Sequence, residues 1–216
     1  MKPKKEDNMN NKSLKIKRIT GIAVFAALVV VLQLFSNYVQ FGPVSITLAL
    51  IPIVVGSIIY GPLAGFALGA VGGFLVFIAP STIGLFWDYG VFITFLVCVL
   101  KMALAGMVSG LLYKAFNNKS KKLAVTLSSI CVPIINTGLF AIAALLFYKD
   151  LLVNLNTTGQ NTIAFLFFTF IGFNFLIEFA VNSILSPVVL RLVNMTKINN
   201  NIRYHYHYYL FYDDNV

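Results

Sequence analysis

The chain has 216 residues, 59% of them hydrophobic and 11% charged, with a formal net charge of +9 and a mean hydropathy of +0.86. A soluble domain carries about a quarter charged residues, so a water-soluble fold is excluded and an all-α integral membrane protein is expected. The positive charge does not point to nucleic acid, because it is clustered. Seven of the sixteen basic residues precede Ile19, four lie at 114–122 and three follow Leu190. That is the pattern of cytoplasmic ends and loops.

Residues 1–18 form a basic segment read as cytoplasmic. The apolar run behind it is too long for a signal h-region and lacks a cleavage site, so it is read as retained. Apolar stretches follow at roughly 19–35, 48–60, 62–79, 91–113, 124–147 and 162–192. The second is short for a span of about 20 residues, and Tyr60-Gly61-Pro62 turns it at once into the third. The pair reads as a membrane hairpin. Six transmembrane helices within a 19–195 membrane domain then place both termini in the cytoplasm. The loops left outside, at 36–47, 80–90 and 148–161, hold Lys149 as their one basic residue. The expected location is the cell membrane, with multiple passes. Residues 196–216 form a polar cytoplasmic tail rich in Tyr and Asn, whose His205 and His207 read as solvated side chains rather than metal ligands.

Within the spans, Gly65, Gly69 and Gly73 recur every fourth residue and predict a tight helix–helix contact. Ala23 and Ala27 repeat that spacing in the first span. Cys98 and Cys131 lie in separate apolar stretches, without the paired spacing of metal or redox chemistry. The sixth span carries Asn174, Glu178 and Asn182 four apart, on one face of a helix. A carboxylate at the centre of a membrane helix costs about 2.5 kcal/mol or more, so it needs a partner or a function. Lys101 is the other charge inside a span. By residue count, Lys101, Asn136 with Thr137, Asn174 and Glu178 fall at comparable depth, roughly 15–20 Å below the outer surface at 1.5 Å per residue. Two readings stand: these residues line a ligand pocket, or Lys101 and Glu178 neutralise each other and lock two helices. The loop segment around Trp87, Asp88 and Tyr89 is either an interfacial anchor or a lid that stacks on the ligand. The 36–47 loop is a second candidate lid.

At 42–73, GPVSITLALIPIVVGSIIYGPLAGFALGAVGG resembles the second and third helices of the substrate-binding S components of energy-coupling factor (ECF) vitamin transporters. Ile51-Pro52, Gly56 and the turn from Tyr60 to Gly65 carry the likeness, and the six-span layout matches over about residues 15–195. The tail after Thr196 falls outside it. The resemblance implies a subunit that binds a vitamin outside and delivers it with a transmembrane T component and two ATPases, through a toppling motion. It also implies that Ala23 and Ala27 contact the T component. Trp87, Asp88, Lys101, Asn136, Asn174 and Glu178 are the candidate ligand-binding residues. Pantothenate is the first choice of ligand, because a membrane lysine suits an anion, followed by hydroxymethylpyrimidine and riboflavin.

No cofactor is expected. The chain has no G-x-x-x-x-G-K-[ST], so ATP hydrolysis falls to partners. It has no G-x-S-x-G or H-E-x-x-H and no His within a span, so an enzyme is not expected. The rival reading is a proton-coupled secondary transporter in which Glu178 titrates between states.

Overall fold

The computed structural model describes residues 4–38, 47–156 and 159–212, with side chains described for 15–38, 47–156 and 159–195. Among these residues every regular element is helical: α1 (Lys4–Ser36), α2 (Leu50–Tyr60), α3 (Pro62–Phe77), α4 (Pro80–Phe86), α5 (Val91–Phe116), α6 (Lys121–Phe147), α7 (Lys149–Leu155), α8 (Thr162–Ala164) and α9 (Gly172–Tyr212). A 3₁₀ turn at Trp87–Tyr89 follows α4, and a π-helical segment at Phe165–Phe170 leads into α9. Most of the 36–47 loop lies outside the described residues.

Four helical stretches are long and apolar enough to cross a membrane: Lys15–Ser36, Val91–Phe116, Lys121–Phe147 and Gly172–Met195. The pair Pro62–Phe77 and Pro80–Tyr89, bent by 67°, makes a fifth if counted as one broken span. The 11 residues of α2 rise only about 16 Å, roughly half the hydrocarbon thickness. The turn after α2 consists of one residue, Gly61, at φ 97°, a conformation glycine adopts without the Cβ penalty. Pro62 then occupies the first turn of α3, where its missing N–H is of no consequence.

Residues 80–89, expected as loop, are helical instead. Ala79 is extended and Pro80 starts α4, so the chain bends sharply after α3 and folds back over the bundle. Similarly, α7 occupies much of the 148–161 connection, and α9 continues through the boundary placed at residue 196. The side chains of His205 and His207 lie outside the described residues.

The tightest packing joins α3 to α5. A Cβ on Gly65 would lie 2.8 Å from the Gly106 carbonyl carbon, one on Gly69 2.7 Å from Ala103 Cα, and one on Gly73 2.6 Å from Val99 Cα. On the facing helix, a Cβ on Gly110 would lie 2.8 Å from Pro62 Cα. The expected glycine face is thus a backbone-to-backbone seam, with the two helices antiparallel. Around it, Val29, Leu50, Ile53, Val54, Leu68 and Met102 form an apolar core between α1, α2, α3 and α5. Along α1, Ala23 and Ala27 lie on the exposed side, with Val24, Leu28 and Val31.

Gly69→Leu is expected to destabilise the protein by at least about 2 kcal/mol, because the added side chain meets backbone that cannot move aside. Gly84→Ala, with nothing within 4 Å of the new Cβ, is the neutral control. Thermal unfolding in detergent measures both, and equal melting temperatures would contradict the seam.

Candidate functional site

The glycine seam turns one face of α5 to α3 and leaves Thr94, Val97, Cys98 and Lys101 facing a cavity. Those positions recur at i, i+4 and i+7, a single helical face. From α6 come Asn136, Thr137 and Phe140, and from the α9 region Ile171, Asn174, Phe175 and Glu178. Thr82 and Phe86 of α4 close the end at which α6 runs into α7, and Thr47 approaches from the chain entering α2. The cavity encloses about 700 Å³ of space free of atoms, counting its open mouth.

Four of the expected ligand-binding residues therefore share one cavity: Lys101, Asn136, Asn174 and Glu178. All are buried, at 8%, 3%, 6% and 5% exposure. The other two do not line it. Trp87 stacks on Phe77, with ring centroids 5.3 Å apart, and Asp88 is exposed.

The polar row on α9 divides by role. Glu178 Oε1 accepts a hydrogen bond of 2.7 Å from the Thr47 backbone N–H, while its Oε2 is buried without a partner. Asn182 donates to the Glu178 backbone carbonyl one turn back, at 2.8 Å, and is satisfied within its own helix. Ser186 extends the row and donates to Thr126 Oγ1 of α6 at 3.3 Å. Further along, Lys121 donates to Asn194. The upper part of the row thus faces the cavity and the lower part ties α9 to α6.

Lys101 does not pair directly with Glu178 among the described residues. Its Nζ instead sits 4.8 Å from the centroid of the Phe140 ring. A desolvated ammonium over an aromatic face gains roughly 2 kcal/mol, which holds the cation without consuming its hydrogen-bond capacity. Asn136 Oδ1 is also buried without a partner. An unsatisfied buried acceptor costs about 1–3 kcal/mol. Chemically, Lys101 can pair with an anion, and Asn136 Oδ1 and Glu178 Oε2 can each accept a hydrogen bond.

An aromatic wall completes the site, and the sequence did not single it out. Phe86 meets Tyr148 edge-on, with centroids 4.9 Å apart, and Phe140 stacks on Phe170 at 6.4 Å. Phe170 reaches this wall through the π-helical segment, where the Ile171 N–H bonds the Leu166 carbonyl five residues back. Leu166 and Glu178, on either side of the bend at Ile171, are both buried.

The chain belongs to the family of ECF transporter substrate-specific components, whose sequence profile matches residues 17–190. Over 211 residues it is 28% identical to the pantothenic acid transporter PanT of Lactococcus lactis subsp. cremoris (strain MG1363), an alignment covering 88% of this chain and 99% of that protein. No solved structure gives a significant match. The chain is thus a multi-pass membrane protein of a transporter family rather than of an enzyme family.

In a background with Cys98 and Cys131 replaced by Ala, Thr126→Cys with Ser186→Cys is expected to form a disulfide on mild oxidation, since their side chains already touch. A mobility shift on non-reducing gels reads the cross-link. Its absence would contradict the packing of α6 against α9.

Proposed function

We propose that this protein is the binding subunit for uptake of a water-soluble vitamin, with pantothenate as the ligand. The convergence of buried Lys101, Asn136, Asn174 and Glu178 on one cavity carries this reading, and the likeness to a pantothenic acid transporter supports it. Pantothenate has a carboxylate for Lys101. Its amide N–H and two hydroxyls match the open acceptors on Asn136 and Glu178, and its paired methyl groups suit the walls of Phe140, Ile171 and Phe175. Hydroxymethylpyrimidine and riboflavin lack a carboxylate and would leave Lys101 without an anion.

In this reading the chain crosses the cell membrane six times, with the short α2 and the bent α3–α4 pair each counted as a crossing. Both termini face the cytoplasm and the cavity opens outward. The energy comes from a T component and two ATPases. The exposed Ala23 and Ala27 on α1 form the surface that the T component meets, since small residues permit close helix approach.

Asn174→Ala and Glu178→Ala are each expected to weaken pantothenate binding by tenfold or more, the scale of a lost buried hydrogen bond to a polar ligand. Equilibrium binding to the purified chain measures this, and unchanged affinity in both variants would place the site elsewhere. Ala23→Trp or Ala27→Trp should leave that affinity intact yet reduce vitamin uptake by cells carrying the whole transporter. Normal uptake would remove α1 as the partner surface.

A further inference from the structure

The wall formed by Phe86, Thr94 and Tyr148 holds two hydroxyls whose surroundings favour one hydrogen-bond direction. Thr94 and Tyr148 are each 1% exposed, and both line the cavity. Thr94 Oγ1 lies 2.9 Å from the Gly90 carbonyl oxygen, 3.2 Å from that of Phe86 and 2.8 Å from the Tyr148 hydroxyl. A threonine hydroxyl has one proton, and carbonyl oxygens only accept. Giving the Thr94 proton to the two carbonyls leaves Tyr148 to donate in the 2.8 Å contact, in which either hydroxyl could be the donor by distance alone. With its single proton committed, the Tyr148 oxygen has only lone pairs left to offer. The Phe86 ring, set edge-on at 71°, fixes the tyrosine ring that carries it.

Asn136 Oδ1 and Glu178 Oε2 also line the cavity, both buried without a partner. Among the described residues that line the cavity, Lys101 is the one cation. We propose that Tyr148 is a ligand-contacting acceptor whose proton direction is set by Thr94, so that the cavity selects small anions carrying several O–H or N–H donors. The inference rests on the reading of the cavity as the ligand site and adds two residues to it. Tyr148 touches the ligand, while Thr94 is a positioning residue. A ligand that presents mainly acceptors would set lone pairs against Tyr148, Asn136 and Glu178, and each such contact leaves buried groups unpaired.

The test uses the purified full chain and compares equilibrium affinities for pantothenate and for pantothenol, in which a primary alcohol replaces the carboxylate. Tyr148→Phe is expected to weaken pantothenate binding about tenfold, the scale of one lost buried hydrogen bond. Thr94→Val should weaken it at least as much, because the freed Tyr148 proton then competes with the donors of the ligand. The double variant should bind no worse than Tyr148→Phe, since Thr94 has nothing left to direct. Pantothenol should bind the wild-type chain more weakly than pantothenate yet lose the same factor on Tyr148→Phe. Wild-type affinity in Tyr148→Phe, or losses that multiply in the double variant, would overturn the proposal. Should Tyr148→Phe not stay folded, Thr94→Ser must bind as wild type and Thr94→Ala must not; equal affinity of those two overturns it as well. A wild-type chain that binds neither compound defeats the reading of the site itself. Binding that is indifferent to Thr94 and Tyr148 defeats only this inference.

Discussion

The close approach of α3 to α5 is the contact on which the rest of the molecule depends. Inside a bilayer no hydrophobic effect drives helices together, and association rests on packing and on the few polar contacts available. Gly65, Gly69 and Gly73 let the backbone of α3 lie directly against that of α5, where any Cβ would come within 3 Å of main-chain atoms. A contact of that kind fixes rotation as well as distance. With one face of α5 held against α3, the face carrying Thr94, Cys98 and Lys101 must point the other way, into the space that α6 and α9 enclose. A rigid half of the bundle thus presents one wall of the cavity.

The opposite wall is held differently. Where α9 meets α6, polar side chains replace glycines, and several are satisfied within their own helix, as Asn182 is by the Glu178 carbonyl. Glu178 is the exception. One of its oxygens takes the Thr47 N–H at 2.7 Å, which ties the chain entering α2 to α9 across 131 residues of sequence. The other oxygen is open. A buried carboxyl group with one committed and one unpartnered oxygen is costly. The same reasoning applies to Asn136. Lys101 sits over the Phe140 ring and makes no direct ion pair with Glu178 among the described residues.

Much of this was legible in the sequence, and the parts that were not share a cause. The glycine spacing, the Tyr60-Gly61-Pro62 turn and the polar row on the last span are local signals, each with a direct physical meaning. Lys101, Asn136, Asn174 and Glu178 stood out because polar groups are expensive in an apolar helix. Thr94, Tyr148, Phe86 and Phe140 did not. A membrane helix is apolar all round, so its pattern does not reveal which aromatic or hydroxyl side chain faces inward. Residues 80–89 are what remains between two long apolar runs and carry no span signal of their own, yet Pro80 at the first turn begins a helix there, after the extended Ala79 that bends the chain. The π-helical turn at Phe165–Phe170 was equally hidden, since a one-residue excess in a helix leaves no mark on composition. Trp87 attracted notice as the only tryptophan, but it packs on Phe77 instead of lining the cavity.

The central claim is that this chain alone holds a vitamin in its membrane cavity. The most direct measurement is the thermal stability of the purified protein in detergent against pantothenate and a panel of other B vitamins and their precursors. A ligand that binds only the folded state raises the melting temperature, by an amount that grows with its concentration above Kd. The account predicts a selective rise with pantothenate at low micromolar concentration and none with hydroxymethylpyrimidine or riboflavin. A folded protein whose melting temperature no member of the panel changes would contradict it.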